Sequence, residues 1–316
     1  MRFGRLLAVI LLLIFPGSCR DQGGETEGER YRFIFIAHSA AISFWVPVQK
    51  GMNDAADMLG VDCQFIGPTE FDISEQRSML ESAIESGVDG IATTLPDPEA
   101  FDAAVQTALD RGIPVVCFNT DDPTSNPRLS AVVQDNFTAG EALGLKIASL
   151  VPSGSQIALL TEAPGHSALE DRLRGAQRIL DEKDISYKVL NTTTDLIKGM
   201  GVVESYLTAN PEVAGFFGVS AMSTASPGQV LRQQDLGGKI KAGGFDLVPM
   251  TMESIRDGYL QFTIDQHPYI QGYYAVCQLY FNLRYGISPS DIDTGVGFID
   301  ADNVDDISRL TEEGYR

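Results

Sequence analysis

The chain has 316 residues, with 23 Lys and Arg against 43 Asp and Glu, a formal net charge of −20 and 44% hydrophobic residues. A length near 300 holds one large domain or two of about 150 residues, and the apolar share is that of a globular protein, not of an acidic disordered tail. The acidity argues against a nucleic-acid partner, and three His (His38, His166, His267) leave little for a His-cluster metal site.

Residues 1–5 carry Arg2 and Arg5, Leu6 to Phe15 is apolar, and Pro16-Gly17-Ser18-Cys19 follows. A basic start, a short apolar run and small residues before a boundary read as a secretory signal over residues 1–18. The run is shorter than the ~20 residues a membrane span needs. The Gly-Ser-Cys ending resembles the lipobox of bacterial lipoproteins, with Pro16 where Leu is usual. That resemblance implies acylation of Cys19 and export across the bacterial inner membrane to a periplasmic or cell-surface location, with plain secretion as the alternative. Residues 19–30 form a polar, Gly-rich tether. Cys63, Cys117 and Cys277 remain, an odd number; Cys63 and Cys117 lie in apolar runs and are expected as buried free thiols.

Apolar, β-rich runs start near Arg32, Val61, Asp89 and Pro114, and a second series starts near Gln156, Ser186, Ala214 and Lys239. Helical spacing fills the intervals. Asp72 with Glu75 makes a capping-box-like start that sets Ile73, Leu80, Ala83 and Ile84 on one face. Asp97-Pro98-Glu99 reads as an N-cap with Pro at the first helical position, and Gly112 as a C-terminal stop. Repeated βα units of this length predict parallel strands joined by right-handed crossovers, and two series predict two similar α/β lobes. No G-x-G-x-x-G follows either first strand and no G-x-x-x-x-G-K-[ST] occurs, which disfavours a nucleotide-binding enzyme.

Ligands of open parallel sheets sit beyond the carboxyl ends of the strands. Those ends carry His38-Ser39 with Phe44-Trp45, Thr93-Thr94, Asn119-Thr120-Asp121, Glu162 with Gly165-His166 and Arg172, Ser220, Gly244-Phe245-Asp246, and Asp265-Gln266-His267. Carboxylates accept two bonds, Arg donates in a fork and amides do both. Such a set suits a neutral polyhydroxylated ligand, whose ring faces pack on aromatic side chains. A site that bonds every hydroxyl rejects an analogue lacking one.

The layout is similar to the ribose/galactose-type periplasmic sugar-binding proteins, the type I substrate-binding components of ATP-driven (ABC) importers. The resemblance runs from about Tyr31 to the C-terminus through F-W-V-P-V-Q-K-G (Phe44 to Gly51), S-G-V-D-G-I (Ser86 to Ile91), G-I-P-V-V-C-F-N-T-D (Gly112 to Asp121) and Q-D-N-F-T-A-G (Gln134 to Gly140). It continues through G-H-S-A-L-E-D-R (Gly165 to Arg172), G-G-F-D (Gly243 to Asp246) and T-I-D-Q-H-P-Y-I-Q-G (Thr263 to Gly272). It implies two Rossmann-like lobes joined by a three-crossing hinge, near Gln134-Asp135, Asp265-Gln266 and Ile292 to Gly295. The lobes would be 31–135 plus 266–292 and 136–265 plus 293–316.

Position by position, the resemblance makes Phe44 and Trp45 an aromatic pair sandwiching the sugar, and Asn119 and Asp121 the first lobe's polar contacts. Arg172 and His166 match the Arg and His of galactose-type members, Asp246 the Asp of the second lobe, and Gln266 the amide at the last crossing. His38, Thr94 and Ser220 complete the expected set. The chain departs from the family at Ile42 and Ser220, where Asn is frequent, at Asn119-Thr120, where ribose-type members have Asp-Arg, and at Ala168, where galactose-type members have Asp; neither sugar is therefore implied. Asp300 to Asp305 resembles a calcium loop only superficially, lacking its sixth-position Gly, and reads as a solvated turn.

The expected function is capture of a small neutral sugar or polyol by a monomer that delivers it to an ABC permease, with no cofactor, no metal and no catalysis. The alternatives are a binding protein serving a receptor kinase or chemoreceptor, and a nucleoside-binding lipoprotein. A regulator of the lactose-repressor type shares this fold, but the N-terminal signal replaces its DNA-binding headpiece.

Overall fold

The computed structural model describes residues 30–97, 99–122 and 127–316. The expected signal, Cys19 and residues 20–29 of the tether lie outside them. In the first lobe the chain runs β1 (Arg32–Ile36), α1 (Trp45–Leu59), β2 (Asp62–Ile66), α2 (Ile73–Glu85), β3 (Gly90–Thr93), α3 (Asp102–Asp110), β4 (Val115–Asn119) and β5 (Ser130–Val133). The second lobe repeats the pattern with α4 (Asn136–Leu150), β6 (Gln156–Thr161), α5 (Ser167–Glu182), β7 (Ser186–Asn191), α6 (Leu196–Ala209) and β8 (Gly215–Gly218). It continues with α7 (Ala221–Gln233), β9 (Lys241–Phe245), α8 (Pro249–Arg256) and β10 (Phe262–Asp265). α9 (Pro268–Tyr285) and β11 (Ile292–Asp293) return to the first lobe, and β12 (Gly297–Asp300) and α10 (Val304–Glu312) to the second.

The sheets read β2-β1-β3-β4-β5-β11 and β7-β6-β8-β9-β10-β12, the same order twice. Every ladder is parallel except β10 with β12. Helices cover both faces, so central strands are apolar on both sides. In β1, Phe33 and Phe35 pack with Trp45, Val48 and Met52 of α1, whereas Ile34 and Ile36 pack with Leu80 and Ile84 of α2 and Val105 of α3. The fold class read from the strand series is the one observed.

Two local expectations change. Asp97 does not cap α3: its carboxylate accepts the N–H groups of Glu99 (3.2 Å) and Ala100 (2.9 Å), closing a turn that delivers Phe101 to the core before the helix starts. Cys117 and Cys277 are buried free thiols, but Cys63 is only half-buried, because β2 is an edge strand. The strand β5 had no sequence signal beyond four residues, Ser130 to Val133.

The three passages between the lobes are bonded to one another. Gln134 Nε2 donates to the Gly295 carbonyl (2.7 Å), Thr294 N–H to the Val133 carbonyl (2.9 Å) and Thr294 Oγ1 to the Gln266 carbonyl (2.8 Å). The hinge is thus a laced set of strands rather than independent linkers.

Helix pairs that carry the site approach closely through glycine. A Cβ on Gly140 of α4 would stand 2.2 Å from the Arg172 carbonyl oxygen, and one on Gly175 of α5 would stand 2.2 Å from that of Phe137. Gly175→Val must force α4 and α5 apart. Urea unfolding should show a loss of about 3 kcal/mol, and a variant as stable as the parent would refute this packing.

Candidate functional site

In this strand order, crossovers leave the first and third strands of each lobe in opposite directions, and the crevice opens at their carboxyl ends. Those ends are β1 and β3 in one lobe and β6 and β8 in the other. Between them lies a cavity of about 320 Å³, walled by both lobes. His38, Phe44, Trp45, Asn119, His166, Arg172, Ser220, Asp246 and Gln266, all expected from the sequence, line it.

Asn119 ends β4 and Asp246 directly follows the equivalent strand β9, and both adopt left-handed backbone conformations, with φ of 64° and 75°. Asn and Asp tolerate that region better than other non-glycine residues, and the turn aims each side chain into the cleft instead of along its strand. Gln266, on the crossing between β10 and α9, joins them. Its Nε2 donates to Asp246 Oδ1 at 2.5 Å, and its Oε1 accepts from Asn119 Nδ2 at 3.5 Å. Gln271 Oε1 also accepts from Asn119 Nδ2 (3.2 Å).

Arg172 is 3% exposed. Its N–H groups donate to Asn136 Oδ1 (2.9 Å), the Val219 carbonyl (3.0 Å) and Gln134 Oε1 (3.3 Å), and the guanidinium lies over the Phe245 ring at 4.2 Å. Burial pushes it down to about 10, opposed by the charges of Asp246 and Glu162. It is therefore a strut of the second lobe as well as a cleft cation. Burial raises the Asp246 carboxyl from its ordinary value, opposed by Arg172 and by the Gln266 hydrogen bond.

His38 and His166 meet across the cleft, ring centroids 4.9 Å apart and planes at 83°, with Phe71 against both. Beside them the Ser167 N–H donates to the Pro96 carbonyl at 3.0 Å, so the lobes touch. Gln76 Nε2 donates to the Thr94 carbonyl (2.7 Å) and to Thr94 Oγ1 (3.0 Å). Thr94 Oγ1 also pairs with His38 Nδ1, 3.2 Å away. Burial pushes the His38 imidazole down to about 3 and His166 well below its ordinary value.

Three expectations are corrected. Asp121 does not line the cleft; its carboxylate is bound by Arg128, through Nε at 2.8 Å and through a second, shorter bond from Nη2. Thr94 is fully buried one layer behind the wall and acts on His38. Phe44 and Trp45 form no sandwich, since their rings meet edge to face with centroids 5.0 Å apart. Trp45 is 1% exposed and packs on Phe65 and Phe118, leaving half-buried Phe44 as the apolar face. Neighbouring residues on one helix cannot flank a ring from two sides.

The cleft also contains residues that the motifs did not mark. Phe71 precedes α2, and Glu162, recognised as a strand-end residue but not expected to contact the ligand, stands directly after β6 at the topological switch point. Two buried ring nitrogens on the wall, Trp45 Nε1 and His166 Nδ1, have no hydrogen-bond partner among the described residues. Buried polar atoms of this kind are ordinarily satisfied. Among the described residues no group of three or more His, Cys, Asp or Glu is arranged to hold a metal ion.

A model of the periplasmic binding protein domain matches residues 33–286. The xylose/arabinose-binding protein of Sulfolobus acidocaldarius is 37% identical over 298 residues, 89% of this chain and 74% of that protein. The chain belongs to the periplasmic binding protein family. It is also similar to the ribose import binding protein of Bacillus subtilis, at 28% identity over 72% of this chain and 74% of that protein. An ABC transporter solute-binding protein from Burkholderia graminis, solved in complex with D-arabinose, matches with a TM-score of 0.82 and 30% identity, covering 86% of this chain and 96% of that one. Proteins of this family capture solutes and are not enzymes, and the cleft is the place to look for the solute.

The histidine contact has a pH consequence. Both folded-state pKa values lie below the unfolded value of about 6.5, so the stabilisation is complete above that pH and is lost as pH falls through it. Between pH 7.5 and 5.5 the melting temperature of the parent should fall by a few degrees relative to a His38→Asn/His166→Asn variant. Parallel melting curves for the two proteins would contradict the assignment of neutral imidazoles.

Proposed function

We propose that this protein captures a neutral monosaccharide of the pentose class in the interlobe cleft and hands it to the permease of an ATP-driven importer. The observation that carries the reading is the Asn119–Gln266–Asp246 line, which spans both lobes and offers amide and carboxylate groups at the floor of the cleft. Phe44 adds an apolar face and Arg172 a cation, the complement of a sugar ring and its oxygens. The names of relatives that take xylose, arabinose and ribose support the same ligand class. Binding across both lobes would favour the closed form by its differential affinity.

The sheet membership of β11 and β12 and the packing of α9 and α10 support lobes of 31–135 plus 266–292 and 136–265 plus 293–316 moving about the laced crossings. The extracytoplasmic location follows from the family, and the Gly-Ser-Cys sequence supports a lipid anchor at Cys19.

Titration calorimetry with D-xylose, D-arabinose, D-ribose, D-glucose and adenosine tests the ligand class. A pentose should bind with a Kd near 1 μM, about −8 kcal/mol, and a preference for adenosine would overturn the sugar reading. Asp246→Asn should weaken pentose binding by roughly 100-fold, since a charge-assisted acceptor is lost. Asp121→Asn should lower the melting temperature and leave affinity within about twofold. Equal losses from both substitutions would show that the cleft residues have been misidentified.

A further inference from the structure

Charge inside the cleft is unevenly distributed. Glu70 and Asp195 line it but are exposed, and Asp195 is also engaged by the Lys198 N–H as the cap of α6. The interior charges are Arg172, Asp246 and Glu162, one cation against two carboxylates. Three of the Arg172 donors are already committed to the neutral acceptors Asn136, Gln134 and Val219. Glu162 is half-buried on a rigid mount: one carboxylate oxygen accepts the Met222 N–H at 2.8 Å in the first turn of α7, with Ser220 beside it. A neutral sugar that closes this cleft removes water and brings no countercharge.

We propose that Glu162 is a selectivity residue that meets a neutral sugar as a protonated carboxylic acid and donates that proton to a sugar oxygen. Capture of the sugar is then coupled to uptake of one proton from solvent. This rests on the sugar reading given above. The titratable and charged groups that share its surroundings are Asp246 at the end of β9, Arg172 and His166 on or capping α5, Asp195 before α6, and His38 and Glu70 on the first lobe. Two carboxylates in one enclosed site cannot both ionise cheaply. Asp246 is the one whose anion is favoured by a direct donor and a cation, Gln266 Nε2 and the nearby Arg172 charge, which oppose the upward push of burial. Glu162 is the one left to carry the proton: burial pushes it up to about 7, with the Asp246 charge adding to the effect and the Met222 N–H opposing it. The helix N-terminus at α7 favours the anion through the Met222 and Ser223 N–H groups and the Ser220 hydroxyl, but the loss of water around the carboxylate is the larger effect.

The sign of the pH effect follows. In this cleft burial pushes Glu162 from its ordinary value of 4.5 up to about 7, and opening the cleft to water should move it back toward the ordinary value. Affinity for a neutral sugar should therefore be lost as pH rises between those values. His38 and His166 work in the opposite direction below about 6.5, because closure excludes their protons. Comparing parent and Glu162→Gln cancels the histidine contribution, since the variant keeps both imidazoles, the side-chain shape and an oxygen for the Met222 N–H.

The test is calorimetry of D-xylose and D-arabinose binding to both proteins at pH 5.5 and pH 8, in two buffers of different ionisation enthalpy. The ratio of parent to variant affinity should fall by about tenfold from pH 5.5 to pH 8. At pH 5.5 to 6 the parent should take up close to one proton more than the variant. A ratio that is the same at both pH values, or identical proton counts, overturns the assignment and makes Glu162 an ordinary ionised acceptor or a bystander. Absence of binding by the parent to either pentose at both pH values overturns the pentose reading, and this inference with it.

Discussion

The cleft depends on how three chain crossings are held together, and the hydrogen bonds around Gln266 do most of that holding. Its carbonyl accepts from Thr294 Oγ1 and Gln271 Nε2, and its side chain reaches Asn119 in one lobe and Asp246 in the other. Buried amides are stable only when their donors and acceptors are matched. Any movement of one lobe is therefore transmitted to polar groups at the floor of the cleft. Gln134, on another crossing, donates to Gly295 and accepts from Arg172, which extends the same network into the second-lobe wall.

The two lobes solve one problem twice. Each places a residue with positive φ at or directly after the end of its fourth strand, and in each case the residue is a short amide or carboxylate. The conformation turns the side chain out of the strand direction, and the cost is lowest for the residue types that also bind hydroxyl groups well. Conformational tolerance and ligand chemistry thus select the same residues. The first lobe contributes aromatic and neutral groups, and the second contributes all the interior charge, so closure brings unlike surfaces together around the ligand.

The net charge of −20 belongs mostly to the exterior, where acidic side chains cap helices or pair on the surface. Among the described residues the interior of the cleft holds the charges of Arg172, Asp246 and Glu162, with the imidazoles kept neutral by burial. Overall acidity therefore says nothing about the ligand, whereas the local excess of one carboxylate does.

The alternating apolar runs, their two series and the polar residues after each strand were legible in the chain itself, because parallel strands buried on both faces must be continuously apolar and their ends must leave the sheet. Nine of the eleven expected ligand residues line the cavity for that reason. What a linear reading misassigns are residues whose partners are distant in sequence. Asp121 is taken by Arg128, Thr94 is held behind the wall by Gln76, and Trp45 is drawn into the first-lobe core by Phe65 and Phe118. Glu162 is the converse case, a strand-end residue given no expected ligand role that becomes the excess carboxylate of the cleft only when β6, β9 and α5 are brought together. Amino-acid sequence alone determined the two-lobed architecture and the residues available to a ligand. Tertiary structure decided which of them face it and in what charge state, because burial and pairing are set by neighbours that sequence spacing does not record.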